Sequence, residues 1–142
     1  SNEQSVPKIE SEEQEIVTAA DTENIFNLDH IPDFVYGIKG KDWLRQQPTG
    51  SVVLQIMSAR DFYNVEKMLT TQGIEHEFLS GYTNYTPSGK PRYLLFYGVY
   101  MNRKVAQAAI EDMHPKLKAI NPYPRTIGNI IKQLDELSAR GY

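Results

Sequence analysis

The stretch from Gly89 to Tyr100, GKPRYLLFYGVY, decides the fold of this chain. It is the longest β-forming run in the sequence, rich in Tyr, Leu and Phe, and it contains no acidic residue. This composition is typical of a central strand with one face in a core and the other open to a ligand. The segments on either side should therefore supply the strands and helices that it needs.

Three further strands are predicted around this central one. Ser51–Ser58, SVVLQIMS, alternates aliphatic positions, and its Gln55 must find hydrogen-bond partners, water or a ligand. Ile74–Thr86 is extended and polar enough for an edge strand. Asn121–Ile127 is a short strand, and its two prolines confine it to an edge or limit its pairing.

Three amphipathic helices complete the pattern. Arg60–Gln72 has apolar residues at helical spacing. Arg103–Met113 follows Asn102, whose side chain can cap a helix N-terminus. Asn129–Ser138 closes the chain, and its inward residues should be Ile130, Ile131, Leu134 and Leu137.

The order of these elements predicts an α+β fold of the split β-α-β (ferredoxin-like, RNP-like) type. Such a domain has a four-stranded antiparallel sheet with two helices on one face, here with an additional C-terminal helix. The opposite face stays bare unless the flanking segments cover it. A bare sheet face is a natural binding surface.

The N-terminal part of the chain differs from the rest in composition. Residues 1–23 are acidic and lack aromatic side chains, so we expect a disordered acidic linker. Residues 24–50 are predicted to be a partly structured lead-in, anchored by Trp43, and residues 51–142 to be the folded domain. Residues 1–30 carry a net charge of −7 and residues 31–142 carry +4, so the expected domain is mildly basic.

Composition also narrows the possible functions. The chain has no Cys, which excludes disulfides and cysteine-ligated zinc, and its three His residues lack metal-ligand spacing. Ser58 has no identifiable base and no acid/base carboxylate pair is evident, so we expect neither catalysis nor a cofactor. No apolar run approaches the roughly 20 residues of a membrane helix. Because the chain starts without Met, we expect that upstream sequence has been removed, and that the acidic leader tethers the domain to an upstream anchor or partner domain.

Short motifs occur in a characteristic order between Trp43 and Leu137. They are Trp43-Leu44 with Gln47-Pro48, Val53-Leu54-Gln55-Ile56 with Ser58, Gly89-Lys90-Pro91-Arg92-Tyr93, Tyr97-Gly98-Val99-Tyr100, Ala106 with Ala109 and Ile110, and Asn121-Pro122-Tyr123 with Arg125. In this order and spacing they resemble the SPOR (sporulation-related repeat) domain, particularly the type in DamX-like cell-division proteins and in SPOR-containing AAA-type ATPases.

The resemblance implies a non-catalytic module that binds bacterial peptidoglycan, especially septal glycan strands stripped of their stem peptides. It also implies a periplasmic domain of an inner-membrane-anchored protein that is targeted to the division septum. Cell-division or envelope proteins are further expected partners, and nucleic acid is not. In this family the binding surface lies on the exposed sheet face. Gln55 and Ser58 match its polar positions, Tyr123 matches an aromatic position near the last strand, and Arg92 stands where relatives often have Trp.

Strand alternation places the candidate glycan-binding residues on the outward face of the sheet. Outward positions are Val53, Gln55 and Met57 in the first strand and Arg92, Leu94 and Phe96 in the third, whereas Tyr93, Leu95 and Tyr97 should point to the helices. Ser58 joins the outward set only if the strand ends or bulges there. The full predicted set is Gln55, Met57, Ser58, Arg92, Leu94, Phe96, Tyr123 and Arg125.

Each of these side chains has a chemical reason to contact a glycan. Gln55 offers amide donors and an acceptor, and Phe96 and Tyr123 offer stacking faces. Removal of the stem peptide exposes a lactyl carboxylate on muramic acid. Arg92, with Arg125 or Lys90 nearby, can bind that anion through a charge-assisted hydrogen bond.

Two other functions remain open at this point. A protein-docking domain of an envelope or secretion complex would use the same sheet face, with Phe96 and Tyr123 as hot spots. An RNA-recognition module has the same fold, but its signature third strand is not present in Arg92–Tyr100, and the whole chain is acidic.

Overall fold

The structure is a computed structural model that describes residues 37–71 and 74–142. The linker predicted at residues 1–23 lies outside the described residues, as does the lead-in up to residue 36. Four strands form one antiparallel sheet: β1 (Val52–Ala59), β2 (Leu79–Tyr85), β3 (Pro91–Tyr100) and β4 (Tyr123–Thr126). The strand order is β2-β3-β1-β4. The predicted central strand, its partner at residues 51–58 and the last edge strand are therefore confirmed. The edge strand predicted from Ile74 begins only at Leu79, because a 3-10 turn occupies His76–Phe78.

Five helices accompany the sheet in the described part of the chain. They are α1 (Lys41–Arg45), α2 (Phe62–Thr71), α3 (Arg103–Glu111), α4 (Pro115–Lys118) and α5 (Ile127–Ala139), and a 3-10 turn spans His76–Phe78. This arrangement confirms the predicted α+β fold with its C-terminal helix. None of the helices within these ranges is both long and apolar enough to cross a membrane.

Polar side chains fix the N-terminal ends of α3 and α5. Asn102 Oδ1 accepts a hydrogen bond from the Val105 amide at 2.8 Å, which confirms the predicted cap of α3. Thr126 Oγ1 accepts from the Asn129 amide at 3.1 Å at the start of α5. Because Thr126 is also the last residue of β4, α5 leaves the sheet with no intervening loop.

One face of the sheet packs on α2 and is mostly apolar. Tyr93 and Leu95 of β3 are buried there, and Tyr97 packs along the same cluster, as predicted. The Phe62 ring of α2 meets the Tyr93 ring edge-to-face, with centroids 5.8 Å apart. Beside this cluster, Ala106 of α3 packs on the first half of β1.

The opposite face is covered by α1 and α5, so the prediction of a bare face is wrong for its apolar positions. Val53, Leu94 and Phe96 are buried, and Phe96 is 0% exposed. They pack against the apolar stripe of α5 and against Leu44 of α1; the stripe consists of Ile127, Ile130, Leu134 and Leu137. The stripe needs an apolar surface, and this face of the sheet provides it. Trp43 packs beside the cluster, in its predicted anchoring role.

A β-bulge in β1 changes which face its last residues occupy. Gln55 pairs with Phe96, whereas Met57 pairs with Leu95, so the register shifts by one residue between them. Met57 consequently packs with the α2 cluster, and its predicted outward position is wrong. After the bulge, Ser58 pairs with Leu94 and shares its face, which is the condition that the sequence set for Ser58 to join the site.

Candidate functional site

α5 crosses the sheet diagonally and leaves one corner of this face uncovered. At its start, the Ile127 amide donates to Ser51 O at 2.8 Å, beside the beginning of β1. At its end, the Arg140 guanidinium donates to Tyr85 O at 3.0 Å and to Thr86 O at 2.7 Å, where β2 ends. The region around the bulge in β1 and the start of β4 therefore lies beside α5 and not beneath it.

The strand register gathers the candidate side chains at this corner. Gln55 pairs with Phe96 on one side and with Tyr123 on the other, and Val53 pairs with Arg125. Since directly paired residues share a face, Tyr123 and Arg125 lie on the face that carries Gln55. We call this part of the surface the open corner; it consists of Gln55, Ser58, Tyr123 and Arg125 from the sheet and of Asn129 and Gln133 from α5.

Arg125 is the centre of the hydrogen-bond network in the open corner. Its guanidinium donates to Gln55 Oε1 at 3.0 Å, to Asn129 Oδ1 at 2.8 Å and to Gln133 Oε1 at 3.4 Å. The same Gln133 oxygen accepts a hydrogen bond from the Tyr82 hydroxyl. The guanidinium carbon also lies 5.7 Å from the centroid of the Phe96 ring, within the range of a cation–π contact.

The hydrogen-bond partners of the Arg125 guanidinium are all neutral amide oxygens. Within residues 37–71 and 74–142, no carboxylate lies within ion-pairing distance of it. Arg92 precedes Leu94 by two residues in β3 and therefore lies on the same face. It too has no carboxylate partner in that part of the chain, and its guanidinium donates to Pro91 O at 3.1 Å. Two half-buried guanidinium groups thus face this side of the sheet with their charges uncompensated by described residues.

The network also fixes the protonation state of Tyr82. Burial raises the pKa of this phenol above its ordinary value of 10.0, while the nearby Arg125 charge acts in the opposite direction and is the smaller effect. The phenol therefore stays protonated at neutral pH and acts as the donor to Gln133.

The structure brings together some of the predicted site residues and separates others. Gln55, Ser58, Tyr123 and Arg125 meet at the open corner, and Tyr123 is 50% exposed. Leu94 and Phe96 lie beneath α5, so they support the corner from within and cannot contact a ligand directly. Arg92 lies at its border, and Met57 lies on the other face.

Sequence reasoning missed three members of the network: Tyr82, Asn129 and Gln133. Asn129 and Gln133 are four residues apart, so they lie on one side of α5, adjacent to the apolar stripe that contains Ile130 and Leu134. Amide side chains at this spacing beside a buried stripe are the signal that could have identified them. Nothing in the local sequence of Tyr82 indicates its partner, 51 residues away.

The described residues contain no group of three or more His, Cys, Asp or Glu side chains placed to hold a metal ion. The comparisons with known proteins are also negative, since no protein-family model matches the chain and no curated protein is significantly similar to it. The likeness to the SPOR family therefore remains a resemblance, carried by the motifs quoted above.

Proposed function

We propose that this chain is a non-catalytic module that binds the glycan strands of peptidoglycan, with a preference for denuded strands, at the open corner. It would thereby target its parent protein to the division septum in the periplasm. One observation carries the proposal: a guanidinium without a described carboxylate partner is surrounded by three amide side chains next to an exposed tyrosine.

The amide groups are oriented by Arg125 in a way that suits a glycan. A guanidinium has only donors, so the side-chain oxygens of Gln55, Asn129 and Gln133 must face it. Their NH₂ groups are then directed away from it, and those of the exposed Asn129 and the half-buried Gln133 can donate to sugar hydroxyls or N-acetyl carbonyls. Gln55 is buried, so it holds Arg125 in place and does not meet the ligand itself. Tyr123 provides a flat apolar surface for a sugar ring at the same corner.

Arg125 and Arg92 supply the preference for denuded strands. A stem peptide blocks the lactyl carboxylate of muramic acid, and its removal leaves an anion that guanidinium groups bind well. Arg125 lies over Phe96, and Arg92 lies four residues from Phe96 along β3, which is roughly 13 Å at about 3.3 Å per residue. A strand with repeated carboxylates can therefore engage both groups.

The alternative hypothesis, that this sheet face binds a partner protein, has less support than it had from the sequence. It relied on Phe96 and Tyr123 as hot spots, and Phe96 is fully buried. An RNA-recognition surface would need exposed aromatic residues on β3, and Phe96 is not available for this either.

Sedimentation with purified cell-wall sacculi tests the proposal. We expect more protein to sediment with amidase-treated sacculi than with untreated ones, because amidase exposes the carboxylates. Tyr123→Ala should reduce binding about tenfold, if a sugar face on the tyrosine ring contributes as much as the lower part of the range for a stacked nucleobase, about 1–3 kcal/mol. Tyr63→Ala is the matched control, because Tyr63 is 60% exposed on α2, on the other side of the sheet. Absence of binding to either preparation would overturn the proposal.

A further inference from the structure

The second half of β1 is an open sheet edge. β4 pairs only with Val52–Gln55, although β1 continues to Ala59 and stays paired with β3 on its other side. Along residues 56–59, the backbone groups that point away from β3 have no strand partner within the described ranges. An unpaired edge of this kind is a template for an additional strand.

A cleft of about 570 Å³ lies against this edge. One wall is the strand itself, from Ile56 to Ala59, and the other is the side of α2; Ile120 also lines the cleft. The α2 wall consists of Asn64, Lys67, Met68 and Thr71. A groove between an open strand edge and a helix is a geometry that binds extended peptides by strand addition, with side-chain pockets providing specificity.

The charge of the cleft selects the kind of peptide. Arg60 and Lys67 line it, and neither has a carboxylate partner among the residues that the structure describes. The one acidic residue in the lining, Asp61, already accepts a hydrogen bond from the Asn64 amide at 3.0 Å at the start of α2. The apolar part of the lining includes Met57 and Met68, whose flexible side chains adapt to different aliphatic groups.

We propose that an extended acidic peptide segment of a partner protein binds in this cleft as a fifth strand, next to β1. Its backbone pairs with Ile56–Ala59, an aliphatic side chain packs on Met57 and Met68, and the positive charges of Arg60 and Lys67 favour an acidic segment. This interface lies at the α2 side of the edge and does not depend on glycan binding at the open corner.

Fluorescence polarisation of the full chain with three labelled synthetic peptides tests this proposal. The acidic peptide SEVEIEVTS should bind. The charge-reversed peptide SKVKIKVTS should not bind, because its lysines are repelled by Arg60 and Lys67. The peptide SEVEPEVTS should not bind either, because proline lacks the N–H that pairing with a strand edge requires.

Variants of the protein locate the site. Lys67→Glu and Arg60→Glu should each weaken binding of SEVEIEVTS about fivefold, the effect of losing and reversing one exposed ion pair. Lys104→Glu, on the exposed side of α3, is the matched control and should leave the affinity unchanged. Equal binding of the proline peptide, no binding of the acidic peptide, or unchanged affinity in both cleft variants would each overturn the proposal.

Discussion

Both faces of the sheet bury apolar side chains, but they differ in what else they hold. The face beneath α2 is packed by aromatic and aliphatic residues such as Phe62, Tyr93 and Leu95. The face beneath α5 has an apolar centre around Phe96, and beside it lies the Arg125 network. On the same face, the buried Ser80 hydroxyl has no hydrogen-bond partner within the described residues.

This difference teaches where to look for function. A mostly apolar face gains stability from burial, whereas a half-buried guanidinium and several amides carry a desolvation cost that only complete hydrogen bonding offsets. Departures from simple core chemistry concentrate at functional sites. The face beneath α5 is therefore the one on which we place the glycan site.

Phe96→Ala should have the largest effect on stability. Removal of a fully buried Phe typically costs about 3–5 kcal/mol, and here it also removes the ring beneath Arg125. Val99→Ala, in the same strand but 39% exposed, should cost less than about 1 kcal/mol. Urea unfolding monitored by circular dichroism measures both. A small loss in Phe96→Ala would mean that α5 does not pack on the sheet.

Arg125→Met should have the second-largest effect on stability. The substitution keeps most of the side-chain volume but removes the donor to Gln55, which is only 8% exposed, and an unpaired buried polar group costs about 1–3 kcal/mol. Arg45→Met is the matched control, because it removes the exposed ion pair of Arg45 with Asp135 at 2.8 Å, expected to be worth about 0–1 kcal/mol. If Arg125→Met and Arg45→Met lower the free energy of unfolding equally, the Arg125 network contributes no more to stability than an exposed ion pair does.

The raised pKa of Tyr82 predicts a loss of stability at high pH. Above its ordinary value of 10.0 the unfolded chain releases this proton while the folded protein retains it, so the free energy of unfolding falls as the pH rises past that value. Below it, Tyr82 contributes no pH dependence. Tyr82→Phe should flatten the decline between about pH 9 and pH 11, whereas Tyr63→Phe, at an exposed position, should not. An unchanged slope in Tyr82→Phe would contradict this assignment. Tyr100, whose pKa burial also raises, would account for part of any remaining slope.

Arg92→Ala should have the smallest effect, and on binding alone. We expect binding to denuded glycan to weaken by roughly threefold, with a shallower dependence on salt, because one half-buried charge contact at the border of the site is lost. Lys104→Ala serves as the control on another surface. Unchanged affinity and salt dependence in Arg92→Ala would remove Arg92 from the site.

Much of the fold could be predicted from the sequence because the strands and helices have different periods. Alternation in residues 51–58 and helical spacing in residues 129–138 specify those elements locally. The covering of the sheet by α5 could not be predicted in this way. Val53, Leu94 and Phe96 are as apolar as the residues of the other face, so alternation alone does not say whether a helix or a ligand covers them.

The two irregularities of the β1–β3 pair show the same limit. In β3, Gly98 has φ of +70°, and a Cβ there would lie 2.7 Å from the Tyr100 hydroxyl, so a glycine within a strand is a visible signal of the local shift in register. The bulge after Gln55 has no glycine to mark it. For that reason, alternation predicts the wrong face for Met57. It places Ser58 at the open corner only if the strand bulges, and nothing in the sequence shows that it does.

The most direct test of the glycan site is a map of backbone amide chemical shifts on titration with denuded glycan strands. Binding at the open corner should change the shifts of Gln55, Tyr123, Arg125 and Asn129 and leave α2 unaffected. Changes confined to α2 and α3, or no changes at all, would contradict it.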